Sequence, residues 1–185
     1  MNTLYSTGLR TLFAMLLALG LAACSEPETA QQALEPVAFH ESDECHVCGM
    51  IIADFPGPKG QAVEKRGVHK FCSATEMLGW WMQPENRVLG AKLFVHDMGR
   101  SDWDKPNDEH LIDATSAYYV AGTSLKGAMG ATLASFAEEQ AAQKLAAEQG
   151  GRVLRFEEID QAVLQETAAA MPHDMSNHQH GHTGH

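Results

Sequence analysis

The segment Glu44-Cys45-His46-Val47-Cys48-Gly49-Met50 sets two thiols two residues apart, follows them with a glycine able to turn sharply, and ends on a thioether. Two thiols so spaced can converge on one ion. Thiolate with thioether is a soft donor set, which suits copper(I). Zinc takes thiolate, imidazole and carboxylate but rarely thioether, and a structural zinc site would want a second ligand pair. Redox catalysis would want the thiols at a helix N-terminus, where a thiol pKa falls. Here Met50-Ile51-Ile52 reads as extended and Pro56-Gly57-Pro58 follows at once. Spacing alone leaves a soft-metal site first and a plain disulfide second, with redox catalysis and structural zinc behind them.

Other residues with chemistry are read more plainly. Cys72 stands alone and reads as a small buried apolar side chain opening a helix, not as a ligand. His96 and Met98, in Val95-His96-Asp97-Met98-Gly99-Arg100, read as exposed loop residues at a strand end. Trp81 reads as core. The acidic run Asp102, Asp104, Asp108, Glu109 reads as a solvated loop, because it lacks the alternating oxygens and central glycine of a calcium loop. At the far end, five of the ten histidines follow Met171, and His178, His180 and His182 alternate. Imidazoles in that pattern can meet copper or nickel without any fold, as an accessory collector. No Ser-His-Asp order, phosphate loop or dinucleotide fingerprint occurs, so nothing indicates an enzyme.

These groups must be carried by a chain of 185 residues, 44% of them apolar, enough for one compact domain or two small ones. The formal charge of −11 speaks against nucleic acid as a partner, since phosphate affinity is supplied by clustered Lys and Arg. Arg10, the apolar run Thr11 to Leu21 and the lipobox Leu21-Ala22-Ala23-Cys24 mark residues 1–23 as a lipoprotein signal peptide, with Cys24 the lipidated residue. The run is too short for a lasting transmembrane helix. The expected location is the periplasmic face of a bacterial membrane, inner or outer, held there by lipid. Thiol pairs in such a compartment tend to oxidise. Residues 24–38 carry two prolines and no sustained apolar period, and read as a disordered tether.

Within 39–165, short strands are expected at Gln61–Val63, Val68–Phe71 and Val88–Val95, with a helix opened by the capping box Ser73-Ala74-Thr75-Glu76. A second run repeats the order, with strands at His110–Asp113 and Tyr118–Ala121, a helix from the box Ser135-Phe136-Ala137-Glu138, a stop at Gly150-Gly151, and a strand at Arg152–Phe156. The expectation is α+β, with two tandem ββαβ units at about 39–98 and 99–160, followed by a His/Met-rich tail over 166–185.

The lipobox, the Cys-x-x-Cys-Gly-Met-x-Ile run, the Phe71-Cys72-Ser73 corner, the Lys126-Gly127-Ala128-Met129-Gly130 loop and the ending Glu148-Gln149-Gly150-Gly151-Arg152-Val153-Leu154 together resemble the NosL family. These are copper-binding lipoproteins encoded with nitrous oxide reductase. The resemblance covers roughly Phe39 to Asp160. It implies a fold of two ββαβ units like those of an organomercurial lyase domain, and a copper(I) chaperone that serves the copper-sulfur centre of the reductase. The implied partners are nitrous oxide reductase and its membrane-bound maturation complex; a homodimer is compatible with it. Residue by residue, Cys48 and Met50 match the family's Cys-Gly-Met, with Cys48 the thiolate. Met129 matches its Pro-Met-Gly, although position 128 is Ala here. Cys45 is either a second thiolate or a disulfide partner. Two rival functions remain beside this one, a thiol oxidoreductase using Cys45 and Cys48, and a plain lipoprotein with a structural disulfide.

Overall fold

The computed structural model describes residues 34–169. The signal segment, Cys24 and His178, His180 and His182 lie outside the described residues. No described helix is long and apolar enough to cross a membrane.

Strands β1 (Gly60–Glu64) and β2 (Gly67–Phe71) form a hairpin in which Gly60 pairs with Phe71 and Glu64 with Gly67. Helix α1 (Ala74–Trp81) starts where Ser73 accepts a hydrogen bond from the Glu76 amide, as its capping sequence requires. Pro84 opens the single turn α2 (Pro84–Arg87). Strands β3 (Lys92–His96) and β4 (Leu111–Asp113) complete an antiparallel sheet of order β2-β1-β3-β4. Strand β1 is central and buried on both faces. Helix α1 lies so close over it that a Cβ at Gly60 would sit 2.8 Å from the Met77 side chain.

The second sheet has order β8-β5-β9, built from β5 (Tyr118–Ala121), β8 (Ala134–Phe136) and β9 (Arg152–Arg155). A small hairpin, β6 (Lys126–Gly127) with β7 (Gly130–Ala131), interrupts it. Helices α3 (Glu139–Gln149) and α4 (Gln161–Ala169) follow β8 and β9. Phe71, Met77, Leu78, Leu93, Val95 and Tyr119 are among the residues of the main core. Burial of each large apolar side chain there is worth about 1.5–3 kcal/mol.

The structure is mixed helix and sheet, and several expected elements fall differently. Residues 111–113 do not open the second sheet. They pair with β3, His96 against Leu111 and Phe94 against Asp113. The expected helix start at Ser135 is instead strand β8. The Ser135 hydroxyl donates to the His96 carbonyl at 2.7 Å and its backbone pairs with Tyr119, so it is unavailable as a cap. Helix α3 therefore begins at Glu139. The strand expected from Val88 begins only at Lys92, after a turn at Gly90 with φ of 66°. Helix α4 carried no sequence expectation; its start is marked by the Asp160 carboxylate accepting from the Val163 amide at 2.9 Å.

Candidate metal centre

The Cys45–Met50 loop is closed by its own backbone. The Cys45 amide donates to the Met50 carbonyl at 2.8 Å and the Gly49 amide returns to the Cys45 carbonyl at 2.8 Å. Gly49 sits at φ of 72°, a region that costs a side-chain-bearing residue about 1–2 kcal/mol. Glu44 and Ile51 bridge the base of the loop, which leads into a short 3-10 turn, Ile52–Asp54. The His46 amide then donates to the Lys70 carbonyl at 2.8 Å, which fastens the loop to the end of β2.

That single seam delivers Cys72, the residue between β2 and the α1 cap, to the same point. The ligating atoms of Cys45, Cys48 and Cys72 all lie within 4.8 Å of one another, and Cys48 Sγ is 3.6 Å from Cys72 Sγ. All three thiols are free. Cys45 and Cys72 are buried, 3% and 0% exposed, while Cys48 is only half-buried and forms the open side of the cluster. Met50 packs against the same core cluster. Cys72 is buried in the main core, as expected, but it does not stand alone, because its sulfur is a third member of the thiol group. One signal was available in the sequence: without Cys24 the cysteine count is odd, which points to a thiol left over for reactivity.

The thiols do not share one electrostatic environment. Burial works to raise the Cys45 thiol, but the backbone N–H groups of Cys48, Cys72 and Val47 outweigh it and hold the pKa below the ordinary value. Cys72 is pushed far upward by burial, then by the Glu76 carboxylate 3.8 Å from its sulfur and by Cys45. One thiolate is thus favoured and a second is resisted within a cluster whose sulfurs form a soft donor set. Lys59, 5% exposed, donates its ammonium to the Phe55 and Pro56 carbonyls. Burial brings its pKa down to about 8, against a partial raising by Cys72.

An aromatic wall adjoins the loop. The His46 and His69 rings lie 4.2 Å apart, and His69 packs on Trp80 at 5.1 Å. Burial, then His69, lowers the pKa of His46, while His69 Nε2 is 2.9 Å from the Glu64 carboxylate.

The remaining sequence candidates occupy varied surroundings. Met129 stands 56% exposed on the turn of the β6–β7 hairpin. His96 is not a loop residue: it is 1% exposed, with Nδ1 accepting from the Lys59 amide at 3.1 Å and Nε2 3.0 Å from Asp108. Asp108 in turn accepts from the Phe39 amide at 2.7 Å, so this member of the acidic run is structural. Met98 is half-buried against the second core cluster. Trp81 packs on Phe156 at 4.9 Å and beneath the Arg87 guanidinium at 4.5 Å.

The family model described as NosL matches residues 36–164. A copper-binding lipoprotein NosL of Stutzerimonas stutzeri is 70% identical over 190 residues, covering 100% of both chains. A second copper-binding lipoprotein NosL, from Achromobacter cycloclastes, is 32% identical over 151 residues, 78% of this chain and 76% of that protein. Among solved structures, the copper chaperone NosL from Shewanella denitrificans superposes with a TM-score of 0.67 at 41% identity, covering 70% of this chain and 98% of that one.

Proposed function

The chain belongs to the NosL family, and from that premise we propose that it is a lipid-anchored, periplasmic copper(I) carrier. In this reading it delivers its ion for maturation of the copper-sulfur centre of nitrous oxide reductase, through the membrane-bound maturation complex. The observation that supports it most is the convergence of three free thiols within 4.8 Å, two buried and one half-exposed. Cys45 and Cys72 hold the ion from the protein side, Cys48 holds it at the surface, and Met50 and the exposed thioether of Met129 are further soft donors. A carrier must bind tightly enough to deny the ion to adventitious ligands and still present one face for exchange. Cys48 is the atom through which an acceptor ligand would enter.

The rival reading, a thiol oxidoreductase using Cys45 and Cys48, needs both of those thiols to cycle, so disulfide-reductase activity abolished by Cys45→Ser would favour it over the carrier. The deciding experiment is a strain lacking this protein, grown under copper limitation. Nitrous oxide reductase should accumulate without its copper-sulfur centre; fully metallated, active reductase would overturn the assignment.

A further inference from the structure

At the far end of the first sheet from the thiols, the β1–β2 turn Lys65-Arg66 and the loop Val88-Leu89-Gly90 flank a groove of about 530 Å³. Its lining also includes Leu34, the first described residue, which follows Cys24 by ten positions. Val88 is 83% exposed and Leu89 40%, an adjacent apolar pair among the described residues. Single exposed apolar side chains are ordinary. This pair, however, is bordered by two exposed cations in a chain whose net charge is −11. Against these two cations the lining sets one acid, Glu64, so its formal charge is positive. Exposed apolar side chains beside Lys and Arg are the composition that suits an anionic lipid headgroup layer.

Chain length places that layer within reach. Ten residues extend at most about 35 Å, so a lipid on Cys24 keeps the groove close to the bilayer and makes even weak surface attraction effective. We infer that Lys65, Arg66, Val88 and Leu89 form the face on which the domain rests on anionic lipid, an inference that depends on Cys24 being the lipidated residue. The strand geometry then orients the metal site. Lys65-Arg66 lies at one end of β2 and Cys72 just beyond the other. At about 3.3 Å per residue the six steps from Arg66 to Cys72 hold them roughly 20 Å apart. The domain lies with its turn on the lipid and its thiol loop turned to the aqueous side, where an acceptor can reach Cys48.

The test uses the mature, acylated protein in vesicles of phosphatidylcholine with phosphatidylglycerol and in vesicles of phosphatidylcholine alone, read by hydrogen exchange. In anionic vesicles the amides of Glu64–Gly67 and Asn86–Gly90 should exchange at least about threefold more slowly, while those of Cys45–Met50 are unchanged. High salt, or the double variant Lys65→Glu with Arg66→Glu, should abolish the slowing without altering exchange elsewhere. Unslowed amides in anionic vesicles would overturn the docking. Equal slowing in neutral vesicles and in detergent would also overturn it, and would assign the groove to the chain's own tether or to a second copy. Intact mass separates the two levels: a protein without acyl chains overturns the Cys24 reading and the docking with it, whereas an acylated protein with unslowed amides overturns the docking alone.

Discussion

The sulfur atoms of Cys48 and Cys72 lie 3.6 Å apart although 24 residues separate them in the chain. Their meeting depends on one backbone seam, His46 to Lys70, which fixes the Cys45–Met50 loop against the last residues of β2. A cluster made this way has its sulfurs on two independent elements. The loop can present two sulfurs by itself, but the third arrives only when the sheet has formed.

Removal of either Cys48 or Cys72 should therefore weaken copper(I) binding, where the sequence alone singled out Cys48. Losing even a residue that merely supports a metal ligand costs about 10–100-fold, so Cys48→Ser and Cys72→Ser are each expected to lose at least about tenfold in anaerobic chelator competition. Cys72→Ala, which buries no new polar group, guards against a folding artefact. Cys45→Ser should retain weakened but measurable binding through Cys48, Cys72 and Met50. Unchanged affinity in both Cys72 variants would remove that residue from the site.

Two glycines with positive φ should respond differently to alanine. At Gly151, with φ of 104°, a Cβ would sit 2.3 Å from the Ala121 carbonyl oxygen, against backbone that cannot yield. Gly151→Ala should cost about 3 kcal/mol or more in urea unfolding. At Gly49, with φ of 72°, a Cβ meets nothing within 4 Å. Gly49→Ala should cost only about 1–2 kcal/mol of backbone strain but lower copper(I) affinity by displacing the sulfurs on either side. Wild-type affinity in Gly49→Ala would show that the turn does not position them.

Lys59 should leave a signature in the pH dependence of stability. Its pKa is about 8 in the folded protein, against 10.5 for an ordinary lysine. Between those values the unfolded chain binds more protons than the folded one, so the lysine's contribution to stability rises with pH, by about 2–3 kcal/mol from pH 7 to pH 10. Below pH 8 both states are protonated and the burial penalty is fully present. Urea unfolding at pH 7 and pH 10 should show this gain in the intact protein relative to Lys59→Met. Parallel pH profiles for the two would contradict it.

Truncation after Met171 should leave one tight copper(I) site and remove weaker ones, because His178, His180 and His182 offer imidazoles without a fold. Titration of the full and shortened chains in the presence of a chelator measures both classes. Loss of the tight site on truncation would place tail residues in the main centre.

Much of what positions the site is local and could be read from the residues alone. The Cys-x-x-Cys-Gly-Met run specifies both a turn and a soft donor set, and Ser73 with Glu76 specifies where α1 begins. Each rests on interactions within a few positions. The family resemblance adds the copper-binding character, since its motifs are the same short runs. Sheet partners were decided only in three dimensions. Residues 111–113 fit either sheet by pattern, and pairing with β3 assigned them to the first. Ser135 carries a capping sequence, yet long-range bonds to His96 and Tyr119 made it a strand residue. His96 is polar at a strand end, and Lys59 and Asp108 allowed it to be buried. Cys72 belongs to the same class. Nothing near it in sequence marks a member of a thiol cluster, because the sulfurs it joins stand on a loop 24 residues away, and hydrogen bonding between that loop and β2 brings the three to one point.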